Sequence, residues 1–143
     1  GVWVPSASNG GFSGTTGRYH KTGNLCFCFA DGKFSSRTSA NDSQFFINGL
    51  PFTAKNTGNV VGGGLLSFNR QTNGGEMFAV VRANESRVRM YTGGADMFTS
   101  NTTGTEYLYS VAGAKMITNR NLRQSSNNDA DDNFTFQIYY ITA

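Results

Sequence analysis

The chain has little of what catalysis needs. Its 143 residues include one histidine, two cysteines and two prolines. A Ser-His-Asp triad would have to use His20, and no G-x-S-x-G nucleophile elbow accompanies it. His20, between Tyr19 and Lys21, therefore reads as a structural or surface residue. The nine acidic residues fall in no recognisable pairing motif for glycoside cleavage, and most sit in turn-rich stretches. The chain is read as a non-enzyme. Cys26 and Cys28 are two apart. On an extended strand they share a face with Cα atoms about 6.5–7 Å apart, at the limit of disulfide geometry. The expectation is two free, buried thiols acting as small apolar groups, compatible with folding in a reducing cytoplasm. A zinc site from these cysteines and His20 has only a C-x-C pair behind it, which is weak.

Other absences narrow the class further. The basic residues, 12 against 9 acidic for a net charge of +3, are scattered from Arg18 to Arg123 and form no run. Nucleic acid is not an expected partner. No apolar run approaches the roughly 18 residues that a membrane helix needs, so no membrane insertion is expected. There is neither a signal peptide nor an initiator methionine, and the chain is expected to be a fragment or processed product of something longer. Leu, Ala, Glu and Lys, the strong helix formers, are scarce as a group.

What the chain does have is 18 Gly, 12 Phe and 6 Tyr among many Asn, Ser and Thr, a composition of strands and tight turns. After a polar loop over 6–16, a strand begins at Arg18 and turns at Gly23-Asn24. In the next strand Leu25, Phe27 and Phe29 share one face and Cys26, Cys28 and Ala30 the other. Both faces are apolar, so both are expected to be covered, one by the core and one by a neighbouring subunit. Asp31-Gly32 reads as a bend, Phe34 to Asp42 as a polar spacer, and Gln44 to Asn48 as a short strand halted at Gly49-Leu50-Pro51-Phe52, where proline cannot donate to a ladder. Leu50 and Phe52 are expected to plug a corner. Gly62-Gly63-Gly64 reads as a bulge or sharp bend breaking a strand between Val60 and Phe68. Met77–Arg82 and Arg87–Tyr91 make the clearest hairpin, and Thr105–Val111, Met116-Ile117 and Phe134–Thr142 complete the strands. The expectation is a single all-β domain, an antiparallel β-sandwich of jelly-roll type, with 1–16 as a lead-in segment and loop and 17–143 as the sandwich.

Three stretches carry a resemblance: Tyr19, Lys21, Gly23 and Asn24 followed by Leu25, Phe27 and Phe29; Ile47-Asn48-Gly49-Leu50-Pro51-Phe52-Thr53-Ala54; and the closing Ile138-Tyr139-Tyr140-Ile141-Thr142. Together they resemble a domain found at the C-terminal end of bacteriophage tail fibres and tailspikes. The resemblance covers both ends of the chain and not the region from about Asn69 to Asp132. Cys26 and Cys28 stand where that group usually has Val or Thr. The resemblance implies a homotrimer at the virion tail tip, synthesised in the bacterial host cytoplasm and joined to the rest of the fibre on its N-terminal side. Its partner would be a host surface glycan, lipopolysaccharide or capsule. Two alternatives stay open: a trimerisation or folding cap with no ligand of its own, and a non-catalytic carbohydrate-binding module of a capsule depolymerase.

The group shares no binding residue, so candidates come from residue chemistry. Arg87, Arg89 and Tyr91 line one face of a hairpin and Tyr107 and Tyr109 one face of a strand. Arginine and tyrosine on rigid strands can hydrogen-bond and stack on sugars, and these five are the candidate glycan-binding residues. No cofactor is expected. Asp129, Asp131 and Asp132 form the densest acidic cluster, a weak candidate for Ca²⁺ because the EF-hand glycine and glutamate are missing. Specificity is expected between Asn69 and Asp132, with Gly17 to Asn56 as scaffold.

Overall fold

A computed structural model describes residues 1–34, 43–68, 77–93, 110–111, 114–117 and 133–143. Among these residues there is no helix, and ten strands join in one antiparallel sheet. They are β1 (Ser6–Ala7), β2 (Phe12–Thr22), β3 (Leu25–Phe34), β4 (Phe46–Asn48), β5 (Val60–Phe68), β6 (Met77–Arg82), β7 (Arg87–Gly93), β8 (Ser110–Val111), β9 (Ala114–Met116) and β10 (Asn133–Ile141). Eight of them follow the order β1-β4-β7-β6-β5-β10-β3-β2, while β9 pairs with β7 and β8.

The N-terminal segment nearly closes this sheet. Val2 bridges to Arg18 on β2, the Trp3 N–H donates to the Gly17 carbonyl at 3.0 Å, and Ser6 and Ala7 pair with Asn48 and Ile47 of β4. One short stretch thus supplies one terminal strand of the path, β1, and bridges to the other, β2. Near-closure leaves few unpaired edges. The segment 1–16 is accordingly built into the sheet rather than being a loop up to Thr16: it contains β1 and the start of β2, which takes an irregularity between Ser13 and Thr16.

Period-two alternation sorts the side chains. Cys26, Cys28 and Ala30 of β3, Phe134, Phe136, Ile138 and Tyr140 of β10, Met77, Ala79 and Val81 of β6, and Val88 and Met90 of β7 all point inward. They form one core cluster with Trp3, Phe45, Ile47, Leu50, Leu66 and Ile117. Phe134 and Phe136 stack with ring centroids 4.3 Å apart, and Phe12 closes on Phe134 at 4.5 Å. Both cysteines are free and buried.

The hairpin of β6 and β7 lies where the sequence pattern places it, with Asn84 at φ 61° in the turn, a conformation asparagine tolerates. Two expected interruptions do not occur. Asp31-Gly32 does not bend the chain. β3 runs on to Phe34 because Asp31 is paired on both sides, with Thr135 of β10 and Thr16 of β2. Nor do the three glycines end β5: the expected bulge is present only as a register shift between Val60 and Gly62, and the strand runs on to Phe68. The glycines permit a close approach instead: a Cβ on Gly64 would lie 1.9 Å from the Gln137 carbonyl oxygen. The Gly49-Leu50-Pro51-Phe52 corner does end β4. Gly49 sits at φ 86° and its carbonyl accepts from the Trp3 indole at 2.9 Å. Leu50 is buried beneath it.

Candidate functional site

Four neighbouring strands turn an unusual set of side chains outward. From β2 come Arg18 and His20, from β3 Phe27 and Phe29, from β10 Gln137 and Tyr139, and from β5 Leu65. The register places them in two rows. His20 is opposite Phe27, which is opposite Tyr139; Arg18 is opposite Phe29, then Gln137, then Leu65. These side chains line an open cleft of about 480 Å³, within the roughly 300–1,000 Å³ of small-ligand sites. The floor is continuous hydrogen-bonded sheet, so the platform is rigid.

The cleft is mostly apolar and open to solvent. Of the seven large hydrophobic residues exposed on the described surface, four lie in it: Phe27, Phe29, Leu65 and Tyr139, at 53%, 45%, 69% and 52%. The Phe27 and Tyr139 rings lie 6.2 Å apart, inclined by 41°. The polar groups stand among them. His20 shares a hydrogen bond with the Thr22 hydroxyl at 3.1 Å. Arg18 is exposed, and its guanidinium has no hydrogen-bond or ion-pair partner among the described residues.

Arg87, Arg89 and Tyr91 do share the outer face of β7, as their alternation with Val88 and Met90 predicts. Their chemistry is already spent. Arg89 donates from Nε to Glu85 Oε2 at 3.1 Å, from Nη2 to Glu85 Oε1, and from Nη1 to Gln44 Oε1 at 2.7 Å. Arg87 donates to the same Glu85 Oε1 at 3.2 Å. Both guanidinium groups lie over the Phe46 ring, at 3.9 Å for Arg87 and 5.3 Å for Arg89. Burial pushes the Glu85 carboxyl up, but the hydrogen bonds and positive charge of Arg89 and Arg87 outweigh it and hold the group below the usual carboxylate range. Tyr91 stacks on Phe78, opposite it on β6, with centroids 5.7 Å apart and planes inclined by 17°. The two arginines share one carboxylate, so the cluster keeps one uncompensated positive charge while its donors are largely engaged within it.

Tyr107, Tyr109, Asp129, Asp131 and Asp132 lie outside the described residues. Among the described residues no group of three or more His, Cys, Asp and Glu side chains could hold a metal ion. His20 and the two cysteines do not converge: His20 is exposed on the outer face, while Cys26 and Cys28 face the core with their sulfurs 3.8 Å apart.

The cleft residues were not among the candidates drawn from sequence. Their signal was present in the doubly apolar strand from Leu25 to Ala30, whose second face is left exposed by the described residues. The chain matches no family model, no curated protein and no solved structure.

Proposed function

We propose that this chain is a tip domain of a bacteriophage tail fibre or tailspike that binds host surface polysaccharide during adsorption, and that the cleft across β2, β3, β10 and β5 is where it binds. The observation that carries the reading is a rigid sheet presenting exposed aromatic rings beside polar groups in an open cleft of about 480 Å³. Pyranose rings pack an apolar face on such rings while hydroxyls meet amide and guanidinium donors. The resemblance to tail-fibre tips gains support from the Tyr140 hydroxyl. It hydrogen-bonds the backbone of Phe52, bringing together two of the resembling stretches, the Gly49–Phe52 corner and the closing strand.

In this reading the domain works as a homotrimer at the tail tip and has no catalysis of its own. Three copies of one weak site gain strength by avidity. A jelly-roll arrangement belongs to the same proposal. β10 returns from the far end of the chain to lie between β3 and β5, the kind of long-range insertion that Greek-key folds use.

The test is a glycan array of lipopolysaccharide and capsule fragments probed with the isolated chain. Retention on at least one host polysaccharide, reduced by Phe27→Ala or Tyr139→Ala, is the expected result. Retention on none overturns the reading.

A second reading makes the same face a contact between copies, with the domain acting as a folding cap. The exposure of four large apolar side chains side by side favours it, since such patches commonly mark interfaces. It predicts that Phe29→Asp turns an oligomer into a monomer by light scattering. The glycan reading predicts that this substitution leaves the oligomer intact.

A further inference from the structure

The three arginines on the outer faces of β2 and β7 differ in one respect that bears on what the cleft takes. Arg87 and Arg89 share the one carboxylate of Glu85, and Arg89 also spends a donor on Gln44. A ligand carboxylate reaching them would have to compete with the carboxylate already there. Among the described residues Arg18 has no such partner. Its register neighbour across the ladder is Phe29, and the nearest carboxylate on that face, Asp31, is diagonal to it and forms no ion pair with it. An unpaired guanidinium at the rim of an apolar cleft is a ready carboxylate receptor, because its planar fork matches both oxygens.

The spacing fits one ligand class. Strands lie about 4.8 Å apart, and side chains two residues apart on one face about 6.7 Å, so Arg18 stands about 8 Å in backbone terms from Phe27 on the diagonal. A sugar ring resting on Phe27 and Tyr139 would project a ring substituent towards Arg18. Gln137, opposite Phe29 on the side away from Arg18, offers an amide donor and acceptor to hydroxyls of the same or the next ring. A neutral hexose would leave the guanidinium unanswered.

We propose that the cleft selects acidic sugars, with Arg18 binding the carboxylate of a uronic-acid-type residue and Phe27 and Tyr139 holding the ring. This inference rests on the glycan-binding reading above and names its ligand class and specificity residue.

The experiment uses the whole chain and two matched probes, hexuronate oligosaccharides and the neutral hexose oligosaccharides obtained from them by carboxyl reduction. Binding is followed by calorimetry at low and high salt. The acidic set is expected to bind at least 10-fold more tightly and to weaken as salt rises. Arg18→Gln should lose roughly 10- to 100-fold on the acidic set and little on the neutral one, the range expected for a charge-assisted hydrogen bond. Arg18→Lys should fall between them, keeping the charge without the fork. Arg87→Gln should leave acidic binding unchanged. Arg18 is exposed, and a melting temperature equal to wild type checks that its variants fold.

Equal binding of both sets, or an Arg18→Gln protein indistinguishable from wild type, overturns acidic selection. If neutral oligosaccharides bind and Tyr139→Ala abolishes it, the glycan-binding reading stands without acidic selection. If neither these probes nor the polysaccharides of the glycan array bind, both readings fall. If Phe27→Ala dissolves an oligomer, the face belongs to a second copy and the proposal falls with it.

Discussion

Tyr140 and Phe52 exchange two hydrogen bonds across 88 residues of sequence: the phenol donates to the Phe52 carbonyl at 3.0 Å and accepts from the Phe52 N–H at 3.1 Å. The pair fastens the proline-stopped corner to the last strand. Burial pushes the Tyr140 hydroxyl well above its ordinary pKa, so it stays a donor at any working pH. Tyr140→Phe keeps the ring and leaves both backbone groups of Phe52 without this partner. The expected cost is about 1–3 kcal/mol in urea unfolding with the m-value unchanged. A neutral result would mean that water replaces the phenol.

Trp3 closes the other side of the same corner. It is buried to 1% exposure and its indole donates to Gly49, so its side chain anchors the segment in the core beside the backbone pairings of Val2 and β1. Trp3→Ala is expected to cost about 3–5 kcal/mol. Because β1 and the Val2 bridge depend on that segment, the amides of β4 that face β1 should lose hydrogen-exchange protection along with it. Loss of stability without loss of that protection would separate packing from closure.

Gly64 allows β5 to approach β10 closely. An added Cβ would meet backbone, not a movable side chain. Gly64→Ala should cost about 3 kcal/mol or more. Gly14→Ala is a useful contrast, since Gly14 has open space and only a positive φ of 58° to strain; about 1–2 kcal/mol is expected there. Equal melting temperatures for the two variants would contradict the close approach.

These contacts show what could be read from sequence and what could not. The β6–β7 hairpin, the stop at Pro51 and the buried thiols were legible because alternation, a missing N–H and a two-residue spacing act locally. Asp31-Gly32 and Gly62 to Gly64 read as breaks because glycine is a weak strand former alone, yet pairing on both sides holds them extended. The engagement of Arg87 and Arg89 was hidden for a similar reason. That Arg87 and Arg89 share a face was visible, but their hydrogen bonding depends on Gln44, 45 residues away from Arg89, and on the turn residue Glu85, shared by both. The bare face of Phe27 and Phe29 was visible as a pattern, and only the fold shows that no part of the described chain covers it.

Glu85 gives the fold an acid-sensitive contribution. Its carboxyl has a folded pKa below the ordinary 4.5. The unfolded chain therefore binds its proton first as pH falls. The stabilisation is complete above about pH 4.5 and is lost as pH drops through the lower folded value. Melting temperature followed from pH 6 down to roughly pH 2 should decline in wild type over this window. Glu85→Gln should start lower at neutral pH, because Arg87 and Arg89 lose their counter-charge, and decline less. Parallel curves would show that the cluster contributes nothing through its charge.

Cys26 and Cys28 should be chemically silent until the domain opens. They are 0% and 3% exposed. Burial, and then the neighbouring Cys26 sulfur, raise the Cys28 thiol far above its ordinary pKa, which suppresses the nucleophilic thiolate. A thiol reagent added to the native protein at pH 8 should label neither residue at first. Labelling should then proceed at a rate that tracks unfolding and rises with urea, and fully denatured protein should react at once at both positions. Cys28→Ala tests the pairing in the same assay: Cys26 loses one thiol neighbour but stays buried, so its labelling should still wait for opening and should accelerate only as far as the variant is destabilised. Prompt labelling of native wild type would show instead that the β3 face bearing the cysteines opens to solvent without global unfolding.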